Sequence, residues 1–146
     1  MAEDKMEHVW QKFQEVVGYS NEELAKFKAI PKYVKMMSTP TFRTHKIVVE
    51  VIFSHGCVCQ HKVGQRLVLN GNGAFIRDEC PPLMCAALVS QLAPVVSALQ
   101  ERFIAGVDPN SLLVDTVSCA DVGIEHGGWG RVLVKIHVEG PQQSKK

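Results

Sequence analysis

The sequence predicts an α+β protein: an antiparallel sheet packed against one long kinked helix, preceded by short N-terminal helices. Three observations predict it. Residues 1–40 carry apolar positions at helical spacing, and from Lys46 the pattern changes to strict alternation. Between two alternating regions lies the longest apolar helical stripe of the chain, and Pro94 falls inside it.

Met6, Val9, Trp10, Phe13, Val16 and Val17 share one helical face, and Gly18 supplies a stop. Tyr19-Ser20-Asn21-Glu22-Glu23-Leu24 reads as a helix start, with Ser20 as cap and Glu23 as its capping-box partner. That second helix ends before Pro31, which opens a third through Met37. Three short amphipathic helices cannot bury their stripes alone, so they are expected either to pack on the downstream sheet or to serve as a homodimer or partner arm. Ser38-Thr39-Pro40-Thr41 marks the boundary between this arm (1–40) and an α+β domain (41–140), with a polar tail at 141–146 expected to be disordered.

In the domain, Ile47, Val49, Val51 and Phe53 alternate with Val48, Glu50 and Ile52, a strand with two distinct faces. Strands at 66–69 and 74–77 flank Asn70-Gly71-Asn72-Gly73, whose Asn-Gly pairs favour a tight hairpin. Pro81-Pro82 is expected to start the main helix, with Leu83, Met84, Ala87, Leu88, Leu92, Val95, Val96 and Leu99 on its core stripe. Pro94 removes a backbone bond and clashes with the Ser90 carbonyl, so a kink or break is expected near Gln91. Strands at 112–118 and 131–139 complete the sheet, the last alternating Val132, Val134, Ile136 and Val138 against Leu133, Lys135 and His137.

A length of 146 residues and a hydrophobic content of 46% suit one ordinary domain with a core and a small appendage. A formal net charge of +1 gives no electrostatic argument for nucleic acid or an anionic membrane as partner. The charged start, Met1-Ala2-Glu3-Asp4-Lys5, lacks a signal-peptide core, and no apolar run is long enough to span a bilayer, so a cytoplasmic location is expected. There the 5 cysteines are read as thiols or metal ligands rather than as a disulfide framework. No P-loop, dinucleotide fingerprint, GxSxG or HExxH sequence is present.

The chemistry-bearing stretch is Ser54-His55-Gly56-Cys57-Val58-Cys59-Gln60-His61-Lys62-Val63-Gly64, two thiols and two imidazoles between two strands. Thiolate and imidazole are borderline-to-soft donors, the ligands of zinc and, for thiolate, of iron–sulfur clusters. Cys57, His61, Cys80 and Cys119 each stand at a connection and would meet at one end of the sheet, although their spacing matches no zinc-ribbon or ferredoxin pattern. Cys59 and Cys85 fit as small buried hydrophobes. Cys80, read at a helix start, is also a candidate nucleophile with His61 as base. Gly127-Gly128-Trp129-Gly130-Arg131 reads either as a substrate loop, with Arg131 offered to a carboxylate and His126 and Trp129 beside it, or as a tight turn covering the sheet edge.

From about residue 45 to 139 the sequence resembles the TIGR04076 family of small bacterial and archaeal proteins. The likeness is carried by Cys57 ahead of His61-Lys62-Val63-Gly64, by Cys80-Pro81, and by Cys119 after the next strand. Gln60 departs from the pattern, which has glycine there, and so do Ala120-Asp121 and the longer Gly-Gly-Trp-Gly segment. The resemblance implies that Cys57, His61, Cys80 and Cys119 belong together, with Cys59 and Cys85 outside. The leading expectation is a metal- or iron–sulfur-binding accessory subunit of an oxygen-sensitive enzyme complex, carrying zinc or a cluster. The alternative is a small Cys/His acid–base or nucleophilic enzyme acting on a carboxylate-bearing small molecule. A dimeric structural module without a site stands as the third.

Overall fold

Ser20 accepts the Glu23 N–H at 3.2 Å and Glu23 Oε2 accepts the Ser20 N–H at 2.8 Å, closing the capping box read from the sequence. This opens α2 (Asn21–Lys28), after α1 (Ala2–Val17) has stopped at Gly18 with φ +72°. Pro31 begins α3 (Pro31–Ser38). The three helices share one aromatic cluster: Phe27 stacks on Tyr33 at 4.5 Å and lies 4.9 Å from Phe13, with Trp10 and Tyr19 edge-on to both Phe13 and Phe27. Short helices thus bury their aromatic stripe against one another, which the sequence reading did not foresee; such pairs add about 0.5–1.5 kcal/mol each beyond area burial. Val16 stays 78% exposed.

This is the computed structural model of residues 2–141, and it divides into two compact units, Met1–Pro40 and Thr41–Lys146. The tail beyond Pro141 lies outside the described residues. The second unit is α+β. A single turn, α4 (Thr41–Thr44), leads into β1 (Lys46–His55), then β2 (Arg66–Asn70), α5 (Ala86–Val89), α6 (Ala93–Ala105), β3 (Thr116–Ser118) and β4 (Arg131–Glu139). The strands form one antiparallel sheet in the order β2-β1-β4-β3.

Register explains the faces. Ile47 lies opposite Leu69 and Val138, and Val49 opposite Leu67 and Ile136, so one side carries buried residues of three strands, while the paired Val48 and Val68 are buried on the other. Leu88, Leu92, Val96, Leu99 and Phe103, at steps of four and three, form the buried stripe of the α5–α6 segment. The break expected near Gln91 is present: α5 ends at Val89, and Pro94 sits in the first turn of α6, where its missing N–H costs nothing. Gln100 Nε2 donates to the Gly71 carbonyl at 3.3 Å, and Phe103 meets Phe42 edge-on at 5.4 Å, fixing α6 to the β2 turn and to α4.

Four expectations need correction. The main helix begins at Ala86 rather than at Pro81-Pro82, because each residue before a proline is driven out of the helical region; Cys80 is extended at φ −120°, ψ 155°. Leu83 and Met84 are therefore exposed, at 64% and 42%, instead of joining the stripe. The strand expected at 74–77 reduces to one bridge, Leu69 to Phe75, since Arg77–Glu79 turns into a 3-10 helix. The strand expected at 112–118 is only Thr116–Ser118, because the Asn110 side chain takes over the pairing: it accepts from Val138 N at 2.7 Å and donates to Val138 O at 2.9 Å. Finally, a bulge between Val51 and Phe53 slips the register, so Phe53 faces Leu133 and leaves the side of Ile47, Val49 and Val51.

Candidate functional site: a four-thiol cavity

The β1–β2 connection folds back on itself. Gln60 N–H donates to the Cys57 carbonyl at 3.0 Å, and Gln60 adopts φ +61°, a left-handed conformation rare for a side chain larger than glycine. This turn presents Cys57 and Cys59 on one wall of a cavity of about 40 Å3. Cys85, the residue capping α5, and Cys119, just after β3, stand on the others. Four of the five cysteines therefore line one small space drawn from three separate segments.

The walls are tied together through backbone. Ala120 N–H donates to the Ala87 carbonyl at 2.9 Å, joining the Cys119 segment to α5. Cys119 extends the ladder with β4: its N–H donates to Val132 O at 2.9 Å and its Sγ accepts from Val132 N at 3.3 Å. Gly56 and Gly130 pack backbone to backbone, and a Cβ on Gly130 would fall on the Gly56 carbonyl. Asp121 holds the Gly-Gly-Trp-Gly loop, accepting from Trp129 N at 2.9 Å, Gly123 N at 3.0 Å and Gly130 N at 3.1 Å. Those N–H groups, Trp129 first, hold its carboxyl below the ordinary range.

His61 is the only buried polar or charged residue among those described, and both its nitrogens are occupied. Nε2 accepts the Cys85 N–H at 3.2 Å, which puts the ring proton on Nδ1, donated to Gln65 Oε1 at 2.8 Å. Ser54 Oγ donates to the His61 carbonyl at 2.5 Å. His61 thus pins the start of α5 to the β1–β2 connection, with no lone pair left for a metal or a proton to be abstracted.

Cys59 and Cys85 line the same small cavity and each shifts the titration of the other. Burial pushes the Cys85 thiol up, but the neighbouring Cys59 thiol and the N–H groups of Ala87 and Leu88 outweigh it and leave Cys85 below the ordinary thiol range; the nearby Asp121 charge opposes them. The Cys85 side chain, then burial, then the Cys85 and Cys57 charges, raise Cys59. Cys85 is thus the more acidic thiol of the two and Cys59 the one that holds its proton longer.

Of the residues singled out from sequence, Cys57, His61 and Cys119 come together at this cavity, and Cys80 does not. Cys80 Sγ accepts from Val68 N at 3.3 Å and donates to Val68 O at 3.4 Å, closing the outer edge of β2. Cys85 and Cys59 stand where the sequence had placed Cys80. Arg131 lines the thiol cavity and also a second cavity of about 190 Å3, beside His126 and His55; Trp129, 69% exposed, lines neither. The missed signal was Cys85-Ala86-Ala87-Leu88, a cysteine directly before the first uninterrupted helical residues once the two prolines are given full weight.

For a metal the donor chemistry is suitable, since thiolates bind zinc and iron–sulfur clusters. The positions are less so: among the described residues no three His, Cys, Asp or Glu side chains are grouped so that they could hold an ion. No helix among those residues is long and apolar enough to cross a membrane. Fold and site together define a small α+β protein with a clustered-thiol cavity. Comparison with protein-family models, with curated proteins and with solved structures finds no match to this chain.

Proposed function

We propose that the protein acts through a nucleophilic thiol, Cys85, with Cys59 as its partner. The observation that carries this is that Cys59 and Cys85 line one small cavity, with an arginine, Arg131, on its wall. This reading keeps the nucleophile expected from sequence but moves it from Cys80 to Cys85, and it gives His61 a positioning role instead of that of base. Limiting iodoacetamide at neutral pH with peptide mapping tests it. Cys85 should be alkylated first; equal, slow labelling of all five cysteines would refute the nucleophile.

The metal- or cluster-binding accessory subunit remains a second reading, favoured by four thiols converging on a space the size of a single ion. Cys57, Cys59, Cys85 and Cys119 would be its ligands after a shift of side chains, with Cys80 and His61 outside. In the TIGR04076 pattern glycine precedes the His-Lys pair, and the left-handed Gln60 is where glycine would be at ease, which supports that resemblance. A helical partner surface would use the exposed Val16, Val17 and Val34, and a reducing cytoplasm would keep the thiols free. Elemental analysis of anaerobically purified protein and of Cys85→Ser decides: stoichiometric zinc or iron lost in the variant supports the metal, and metal-free wild type excludes it.

A further inference from the structure

The thiol cavity has a neighbour whose chemistry narrows the substrate. The second cavity, about 190 Å3, shares Gly130 and Arg131 with it and is otherwise walled by Phe53, His55 and the 122–126 segment. The β1 bulge builds this chamber: by slipping the register it turns Phe53 and His55 to the side of Arg131, which pairs with His55 across the sheet. Such a space is large enough for a short organic chain. Arg131 donates one N–H to the Val122 carbonyl at 3.1 Å, which leaves most of its five donors for a ligand. Phe53 and Val122 give the wall an apolar part, at 44% and 47% exposure, while His126 and Glu125 add polar groups, Glu125 being the one carboxylate on the lining. A guanidinium over a short apolar trough suits a carboxylate on a two- or three-carbon chain.

The thiol cavity limits the other end. It admits a sulfur-sized group, Cys59 and Cys85 both line it, and His61 is not free to serve as a base. Two adjacent thiols without a base suit a two-electron exchange better than acyl transfer. Building on the Cys85 reading, we propose that the substrate is a small disulfide bearing a carboxylate, its sulfur against Cys85 and its carboxylate on Arg131. The Cys85 thiolate attacks one substrate sulfur; the substrate S–S bond breaks, and the first small thiolate leaves and is protonated. Cys59 then gives up its proton and its sulfur attacks Cys85 Sγ, forming the Cys59–Cys85 disulfide and releasing the second small thiol. Two cysteine thiols are oxidised, one external disulfide is reduced to two thiols, and the two cysteine protons end on the products.

Three disulfides with the same two-methylene spacer in each arm test this: 3,3′-dithiodipropionate, neutral bis(2-hydroxyethyl) disulfide and cationic cystamine. Oxidation of Cys85 is followed by intact mass and peptide mapping, and each rate is divided by that of the same disulfide with free 2-mercaptoethanol, which removes differences in leaving group. With a net charge of only +1, the whole molecule offers no general preference for anions. The dicarboxylate should lead the neutral disulfide by roughly five- to tenfold at low salt, as a partly exposed arginine–carboxylate pair allows. Arg131→Gln should erase that lead, read as the ratio of dicarboxylate to neutral rate within the same variant, and Arg131→Lys should restore part of it. Equal normalised rates, or a lead that survives Arg131→Gln, overturn the substrate assignment. If no disulfide oxidises Cys85 although alkylation singles it out, the substrate assignment falls and the nucleophile stands; if Cys85 is no faster than Cys80 in either reaction, both fall.

Discussion

Replacing His61 by alanine separates a pin from a ligand. The ring is 3% exposed and makes two hydrogen bonds, to Gln65 Oε1 and from Cys85 N. Deleting it removes two bonds worth about 1 kcal/mol each and leaves the Cys85 N–H without its partner, at about 1–3 kcal/mol if water cannot reach it. A total near 3 kcal/mol allows for partial relaxation. With a urea m-value of about 2 kcal/mol/M, the midpoint falls by about 1.5 M. Trp10 lies in the helical unit and Trp129 in the sheet unit, so the assay is Trp129 fluorescence against urea in a Trp10→Phe background, which reads the sheet unit alone. A shift under about 0.3 M would refute the pinning argument, and if zinc binding vanished at the same time the ring would be a ligand after all.

Gln60→Gly should raise stability by about 0.5–1 kcal/mol, because it relieves the left-handed strain at φ +61°; a loss in urea unfolding would mean that the turn is not strained. Gly130→Ala should cost about 2–3 kcal/mol, since its Cβ has only the Gly56 and His55 backbone to meet, and wild-type thermal stability would contradict that contact. Asp121→Asn removes the charge that raises Cys85, so the pH midpoint of Cys85 alkylation should move down; an upward shift would contradict the sign. The same substitution should abolish an acid transition of the 121–130 loop: a carboxyl lowered by folding stabilises above its unfolded pKa and loses that contribution as pH falls through its folded value, visible as amide exchange at Gly123 and Gly130.

How much of this was legible in the sequence depended on whether the signal was local. The Ser20/Glu23 cap, the break at Pro94 and the alternation of β4 are decided within a few residues of themselves, and they were read correctly. The α+β class followed from them. Phe53 was misplaced because a bulge is set by the partner strand, and nothing in Val51-Ile52-Phe53 announces it. The thiol site failed in one instructive place. Cys80-Pro81-Pro82 looks like a helix start, yet a double proline holds the chain extended for several residues, and the helix-capping cysteine is Cys85. The helix start lies five positions later than expected, so Cys80 stands at the edge of β2 while the cysteine at the cavity is Cys85. His61 lines the cavity with Cys57 and Cys119, and its two bonds depend on where Gln65 and the Cys85 amide come to lie, which only the tertiary fold decides.

Both outer margins of the sheet are finished by side chains: Cys80 at Val68 on one, Asn110 at Val138 on the other. Each is chemically perishable. Oxidation converts the Cys80 thiol into a larger polar group and frees the Val68 N–H, while the Val68 carbonyl keeps the Ile76 N–H; hydrolysis of the Asn110 amide puts a carboxylate against the Val138 carbonyl, with no donor between them. Each change would leave one backbone group at a sheet margin without its partner. The integrity of both margins thus rests on side-chain chemistry as well as on the backbone ladder.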